Sequence, residues 1–380
     1  MSSPSPGAFQ TSGDQTSGDQ SSGDQSSGVL TSGGQAPGAR EEAPAAPSSQ
    51  SAPAASSRLG DGGAIPPVLA EVVRSGFTEG HHRGSLVVLA ADGRVERALG
   101  DVTSPFFPRS ANKPVQASAM LRAGLGLTGE RLALATASHS GEPFHLDLVR
   151  KMLAEQGLTE DSLQCPAELP IDQEEADRAL VVAGSREAAC SRVAMNCSGK
   201  HAAMLAVCAA NGWPRESYLD ASHPLQQLIA RTLESLSGDR VAHVGTDGCG
   251  APLMAITLTG LARAFRAVAL APADSPEGRV AAAMRAHPEY VAGTRRIDTW
   301  LMREVPGVVA KVGAESVQAV GLPDGRALAF KLYDGGNRAV GPVLARALAD
   351  LGVDSPVLGR IADSPLMGGG RPVGEVRAAF

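Results

Sequence analysis

Branched apolar side chains are almost absent from the first sixty residues, and then return as short strand-like runs near both ends of the remaining chain with helical patterns between them. Ser85 to Ala91 (SLVVLAA) has the apolar density of a buried strand, Asp92-Gly93 has turn chemistry, and Val95 to Leu99 supplies the return, which predicts an antiparallel hairpin. Val317 to Val320, the turn residues Pro323, Asp324 and Gly325, and Ala327 to Leu332 repeat that arrangement, and Val373 to Arg377 reads as a final edge strand. Between these signals the period changes. One helix is expected from Ser110 to Gly124, with Pro114 tolerated only in its first turn. Others run from Pro143 to Gly157 and from Ser198 to Asn211-Gly212. The clearest follows Ser222, where Leu225, Leu228, Ile229, Thr232, Leu233 and Leu236 recur on one face. Leu261 to Leu270 and Val340 to Leu351 complete the set. A sheet built from both chain ends around a helical middle is an α+β architecture.

Composition divides the chain. Residues 1–63 are Ser, Gly, Gln, Pro and Ala, with tandem pentapeptides TSGDQ, TSGDQ and SSGDQ between Thr11 and Gln25. Such a stretch cannot bury enough surface to offset its ordering entropy, so a disordered tail is expected there and one catalytic-size domain over 64–380. Residues 1–57 carry minus four of the formal charge of minus six. The remainder is close to neutral, has no basic stripe and few aromatics, and argues for a small-molecule partner rather than nucleic acid. The start of the chain has no secretory pattern and no run reaches the length of a membrane span, so a cytoplasmic protein off the membrane is expected. Five cysteines suit reduced thiols better than a disulfide framework. Cys165, Cys190 and Cys208 read as packing residues.

Lysine usage changes the picture further. Only five lysines stand beside twenty-nine arginines, and four of them lie in short polar motifs. Arginine keeps its proton at every physiological pH, whereas a buried lysine can lose it and act as a base or a ligand. In FPRSANKP, Ser110 and Lys113 are three residues apart, so a helix would bring the amine to the hydroxyl. Alone this is weak, since a cap serine before a surface lysine looks the same. ASHSGE then supplies Ser138, His139 and Ser140, and AKVGAE supplies Lys311, Val312 and Gly313. A lysine-activated serine, a second serine motif and a late Lys-x-Gly triplet occur in that order in serine acyl enzymes, although Ser140 and Val312 stand where asparagine and threonine are usual. Either Ser138 or Ser140 could face the site. MNCSGKHA and GTDGCGAP place Cys197, Lys200 and Cys249 in a second group. Two soft thiolates suit zinc, with a neutral lysine amine as a further ligand and His201, Asp247 or water completing a tetrahedron; against this stands the ordinary burial of free cysteine.

Taken together, FPRSANKP, ASHSGE, MNCSGKH, TDGCGAP, AKVGAE and the closing VGEVR resemble, in order, segments of the asparaginase II family, zinc-associated bacterial L-asparaginases with a serine β-lactamase-like fold. The resemblance runs from about Ser85 to the C-terminus. It implies hydrolysis of L-asparagine to L-aspartate and ammonia by two serine–lysine pairs, Ser110 with Lys113 and Ser138 with Lys311, in a homodimer. It implies zinc at Cys197, Lys200 and Cys249. Arg109 is a candidate for the substrate carboxylate and Asp247 for its amine, each with a structural alternative. Lys331 reads as a structural residue on an edge strand. A penicillin-recognising hydrolase or D,D-peptidase shares the scaffold, and a non-catalytic zinc or small-ligand binding protein is the rival of another class.

Overall fold

Eleven strands frame the molecule in the computed structural model, which describes residues 65–380; the expected tail over 1–63 lies outside the described residues. They are β1 (Val68–Arg74), β2 (Phe77–Leu89), β3 (Val95–Leu99), β4 (Pro105–Phe106), β5 (His243–Thr246), β6 (Pro252–Thr257), β7 (Val309–Gly313), β8 (Val317–Gly321), β9 (Ala327–Leu332), β10 (Pro365–Gly368) and β11 (Arg371–Ala378). Eight form one sheet in the order β10-β11-β1-β2-β9-β8-β7, with β3 also on β2, and every ladder is antiparallel. The first and last strands are therefore neighbours, and Ala70 faces Ala378 across the β1–β11 ladder. A small second sheet, β4-β6-β5, adds to the expected one.

The late hairpin falls where the apolar runs put it, with β9 spanning Ala327–Leu332 as expected. Two strand expectations change. The C-terminal strand is not an edge, because β10 covers it on one side and β1 on the other. Lys331 likewise sits on a central strand between β2 and β8, and its amine donates to the carbonyls of Glu315 and, at 2.8 Å, Leu332. Strand β1 precedes the first strand expected, and the first half of β2 is polar, Thr78 to Arg83 reading TEGHHR, which leaves it without an apolar strand signature. Burial in that half is partial, and β2 is buried without a break only over residues 84–89.

The helical middle is the other layer. Helices Lys113–Arg122, Gly129–Ala135, Pro143–Ala154, Gln173–Ala183, Ser198–Asn211 and Pro224–Ser237 lie between β4 and β5 in sequence. Leu258–Leu270 packs on β2, β8 and β9, and Val340–Asp350 packs on β1, β8 and β11. Helix Ser198–Asn211 is buried on all sides from Ser198 to Cys208, the mark of a core helix rather than a surface one. The architecture is α+β as expected, an antiparallel sheet from both chain ends with a helical middle. Among the described residues no helix is long and apolar enough to cross a membrane.

Candidate active site

The motif segments converge on one cavity of roughly 570 Å³, whose wall includes Ser110, Ser138, Cys197, Cys249, Asp298 and Val312. The first wall is a tight turn. Arg109–Asn112 forms a single 3-10 turn before helix Lys113–Arg122, so the one continuous helix expected from Ser110 is broken at Asn112. Arg109 itself is left-handed, with φ of 51°, a conformation that costs a side-chain-bearing residue free energy and gathers at functional sites. Strand β7 lies against this turn, and only glycine permits it: a Cβ on Gly313 would sit 2.5 Å from the Pro108 carbonyl oxygen. Gly199 does the same for the opposite wall, where a Cβ would meet the Leu134 carbonyl oxygen at 2.7 Å. The glycines of the Lys-x-Gly and Ser-Gly-Lys segments are thus packing requirements that bring their lysines inward.

Two lysines of the motif segments meet on one hydroxyl. Lys113 Nζ donates to Ser138 Oγ at 3.0 Å, and Lys311 Nζ donates to the same atom at 3.1 Å. Both lysines are buried, at 1% and 0% exposure. Lys113 also reaches the Ala137 carbonyl at 2.5 Å and Cys197 Sγ at 3.0 Å. An ammonium has three N–H donors, and these three acceptors occupy them. Consequently the amine expected on Ser110 runs to Ser138, and no hydrogen bond joins Ser110 to Lys113 among the described residues. Ser110 lines the cavity at 9% exposure. Lys311 completes its set with the Val312 carbonyl at 2.9 Å. Burial pushes its amine down to about 7; the neighbouring Lys113 and Arg296 charges act in the same direction, and Asp298 and Cys197 oppose them.

The second serine of ASHSGE faces elsewhere. Ser140 Oγ donates to the Ala292 carbonyl at 2.9 Å and does not line the cavity. Between the two serines, His139 is pinned through Nε2 to Ser198 Oγ at 2.8 Å, while the Ser138 and His139 amides donate to the Val291 and Asn196 carbonyls, both at 3.0 Å. Burial holds His139 well below the usual histidine range, so it is a neutral spacer. These ties fix which way each serine points.

Cys197, Lys200 and Cys249 do come together, but not as a zinc site. Among the described residues no group of three or more His, Cys, Asp or Glu can hold an ion. The remaining donor is of the wrong kind, since Lys200 Nζ donates to Cys249 Sγ at 3.1 Å. Burial works against the Lys200 charge, yet the Cys249 and Cys197 sulfurs outweigh it and hold the amine above its ordinary value. The Cys197 thiol beside it holds Cys249 far below the thiol range, and Lys200 adds to the effect. The group is an ammonium–thiolate pair with an adjoining thiol; a protonated amine has no lone pair for a metal. Of the candidate fourth ligands, Asp247 is engaged by Arg109, while His201 Nδ1 pairs with Tyr218 Oη at 2.7 Å and leaves its Nε2 buried without a hydrogen-bond partner. None of the five cysteines is in a disulfide.

Arg109 Nε and Asp247 Oδ1 pair at 2.7 Å at the cavity wall, and Asp247 Oδ1 also accepts from the Gly248 amide at 2.9 Å. The two residues expected to hold opposite ends of a substrate therefore hold each other. Sequence reasoning missed Asp298, Arg296, Glu168 and Gln318, which also line the cavity. One signal exists for Gln318, the single polar residue within the apolar run Val317–Val320. Asp298, in RRIDTW, carries none.

Residues 70–378 match the model of the L-asparaginase II family. No curated protein matches the chain. Among solved structures the chain is similar to Mglu in its native form, at 16% identity over 76% of this chain and 69% of that one, with a TM-score of 0.39. It is also similar to a β-lactamase from Mycobacterium bovis, at 15% identity over 74% and 95% with a TM-score of 0.38. A third is EstCE1, a hydrolase with promiscuous acyltransferase activity, at 13% identity over 73% and 93% with a TM-score of 0.37.

Proposed function

The chain belongs to the L-asparaginase II family and is an amidohydrolase, and from that premise we propose that it hydrolyses L-asparagine to L-aspartate and ammonia through a serine ester. The observation that carries the reading is the convergence of two buried lysine amines on Ser138 Oγ beside Ser110 in one cavity. A serine hydroxyl is a weak nucleophile until a neighbouring base removes its proton, and a lysine held near 7 by burial is such a base at neutral pH. In this mechanism Ser110, the serine behind the left-handed turn, attacks the side-chain carboxamide carbon. Its proton passes to the Lys113–Ser138–Lys311 chain, in which Ser138 accepts from the charged amine and, once the other amine is neutral, can turn its own proton toward it. The carbon–nitrogen bond then breaks as the chain returns a proton to nitrogen, ammonia leaves, and water releases aspartate by the same path. Whichever amine is charged at that moment stabilises the developing oxyanion. Arg109, held through Nε by Asp247, keeps its terminal amino groups for the substrate carboxylate.

One observation favours a second reading within the same chemistry. Both amines touch Ser138 and neither touches Ser110, so Ser138 itself could carry the ester. The assay is ammonia release from L-asparagine by purified protein, followed by mass spectrometry of acid-quenched enzyme to find which serine peptide gains the aspartyl mass. Ser110→Ala and Lys113→Ala should each remove most of the turnover; near-normal rates in either would sink the mechanism. Hydrolysis of a chromogenic β-lactam with inertness toward asparagine would instead favour a penicillin-recognising enzyme or D,D-peptidase. Ligand binding without turnover of any amide would favour a binding protein. A cytoplasmic homodimer belongs to the same proposal, the setting supported by five cysteines of which none is in a disulfide.

A further inference from the structure

Asp298 is a carboxylate at 2% exposure on the cavity wall. Its two oxygens accept from neutral donors only, Oδ2 from the Val312 amide at 2.8 Å and Oδ1 from Gln318 Nε2 at 3.0 Å. Among the described residues no cation lies within ion-pair distance of it. Burying an ionised carboxylate without a paired cation is expensive; Lys311 acts on it from beyond ion-pair distance and the place of Asp298 in the first turn of helix Ile297–Glu304 favours its charge, yet neither supplies a direct cationic partner. Gln318 adds an independent anomaly. Its side chain is fully buried, it lines the same cavity, and its Oε1 has no hydrogen-bond partner. The amide orientation is forced, because an ionised carboxylate can only accept, so Nε2 must face Asp298 and Oε1 must face away from it. One buried carboxylate without an ion-pair partner and one orphan acceptor therefore stand side by side.

A primary ammonium supplies what both lack, three N–H donors and a positive charge. Asp247 cannot offer the equivalent to an ammonium, since Arg109 already pairs with it. We propose that Asp298 and Gln318 form the subsite that binds the α-ammonium group of an amino-acid amide substrate, and so make the enzyme select zwitterionic amides over their deaminated analogues. The inference rests on the amidohydrolase reading of the cavity and names the part of the substrate that the serine–lysine chemistry does not touch. A site built around buried polar groups rejects a ligand that leaves them unpaired far more strongly than an apolar pocket rejects a missing methylene.

The test compares L-asparagine with succinamic acid, which has the same carboxylate and carboxamide without the amine. Wild-type enzyme should prefer asparagine in kcat/KM by at least ~100-fold. Asp298→Asn should lower kcat/KM for asparagine by about that factor and leave succinamic acid nearly unchanged, collapsing the preference. Gln318→Leu, which keeps the carboxylate, should lower the preference by roughly 10-fold and serves if Asp298→Asn does not fold. A purely structural role would lower both substrates equally, and a preference retained in both folded variants would overturn the proposal. Calorimetric titration of L-aspartate and succinate into Ser110→Ala enzyme reads the same subsite without turnover. If asparagine is not hydrolysed but L-aspartate still binds in preference to succinate, and Asp298→Asn abolishes that preference, the reaction is wrong and the subsite stands. If asparagine is hydrolysed while the preference ignores Asp298, the reverse holds.

Discussion

Lys311 and Lys200 are both fully buried and both reached from glycine-containing motifs, and each holds a side chain of the same cavity wall, Ser138 for one and Cys249 for the other. Their amines are nonetheless driven in opposite directions. Around Lys311 the hydrogen-bond partners are a hydroxyl and a carbonyl, so desolvation prevails and the amine falls to about 7. Lys200 meets the same desolvation, but a thiolate 3.1 Å away outweighs it. Burial alone does not make a lysine a base; the partner decides. The difference also separates chemistry from bracing, since only the amines on Ser138 are placed to exchange a proton with a hydroxyl.

The largest expected effect breaks that asymmetry at its active end. Lys311→Arg and Lys113→Arg keep a cation but cannot yield a neutral amine, and each should reduce kcat by ~10³-fold or more, the general-base contribution together with the lost fit. Lys200→Arg should cost far less, because that position needs a charge and not a base. Ammonia release under saturating asparagine reads all three. Equal losses at Lys200 and Lys311 would erase the distinction.

Stability should invert the ranking. The folded-state affinity of Lys311 for its proton lies below the unfolded value of 10.5, so the unfolded chain binds more protons between about 7 and 10.5, and stability rises with pH across that window. Lys311→Met should therefore stabilise the protein by roughly 2–4 kcal/mol at pH 7 and below, with the gain fading as pH climbs toward 10.5. Lys200 is raised, so its contribution is fully present below 10.5 and is lost only as pH rises through its higher folded value. Lys200→Met leaves a buried sulfur anion unpaired and should cost ~3 kcal/mol at neutral pH. Urea unfolding at pH 6, 7 and 9 distinguishes the two signs.

A smaller effect sharpens the role of Lys311. If its neutral form is the base, kcat/KM should rise with pH through a midpoint near 7 and fall away below it. The Lys311→Arg variant should lose that limb while retaining whatever residual rate it has. A limb that persists in the variant would belong to another group.

The order of the motifs along the chain is enough to gather Ser110, Lys113, Ser138 and Lys311 about one cavity, and the apolar runs locate β3, β8, β9 and the helices after Ser198 and Ser222. Spacing fails where contact is made across elements, and the reason is physical. It gives Ser110 to Lys113 because they are three residues apart, whereas the amine satisfies its donors on Ala137, Ser138 and Cys197, 24 to 84 residues away. It reads Lys200 as a metal ligand because donor types are visible in a sequence and protonation is not. Asp298 escapes altogether, since a lone aspartate gains meaning only when the Val312 amide and Gln318 close on it.

The smallest expected effect concerns the pair flanking His139. Ser138 and Ser140 are equivalent by sequence, two residues apart on the same short loop, but the histidine between them is tied to Ser198 and sends them to different surroundings. Ser140→Ala removes one hydrogen bond, to the Ala292 carbonyl, at a site where a Cβ on Gly293 would lie 2.0 Å from the serine oxygen. The packing is tight enough that alanine should fit without shifting the loop, and the loss should be about 1 kcal/mol of stability with kcat within a factor of about two or three. Ser138→Ala takes away the atom on which both amines converge and should cost ~10³-fold or more. Should Ser140→Ala prove as damaging as Ser138→Ala, the loop does not sort its serines by direction, and the two-amine hydroxyl loses its claim to the chemistry.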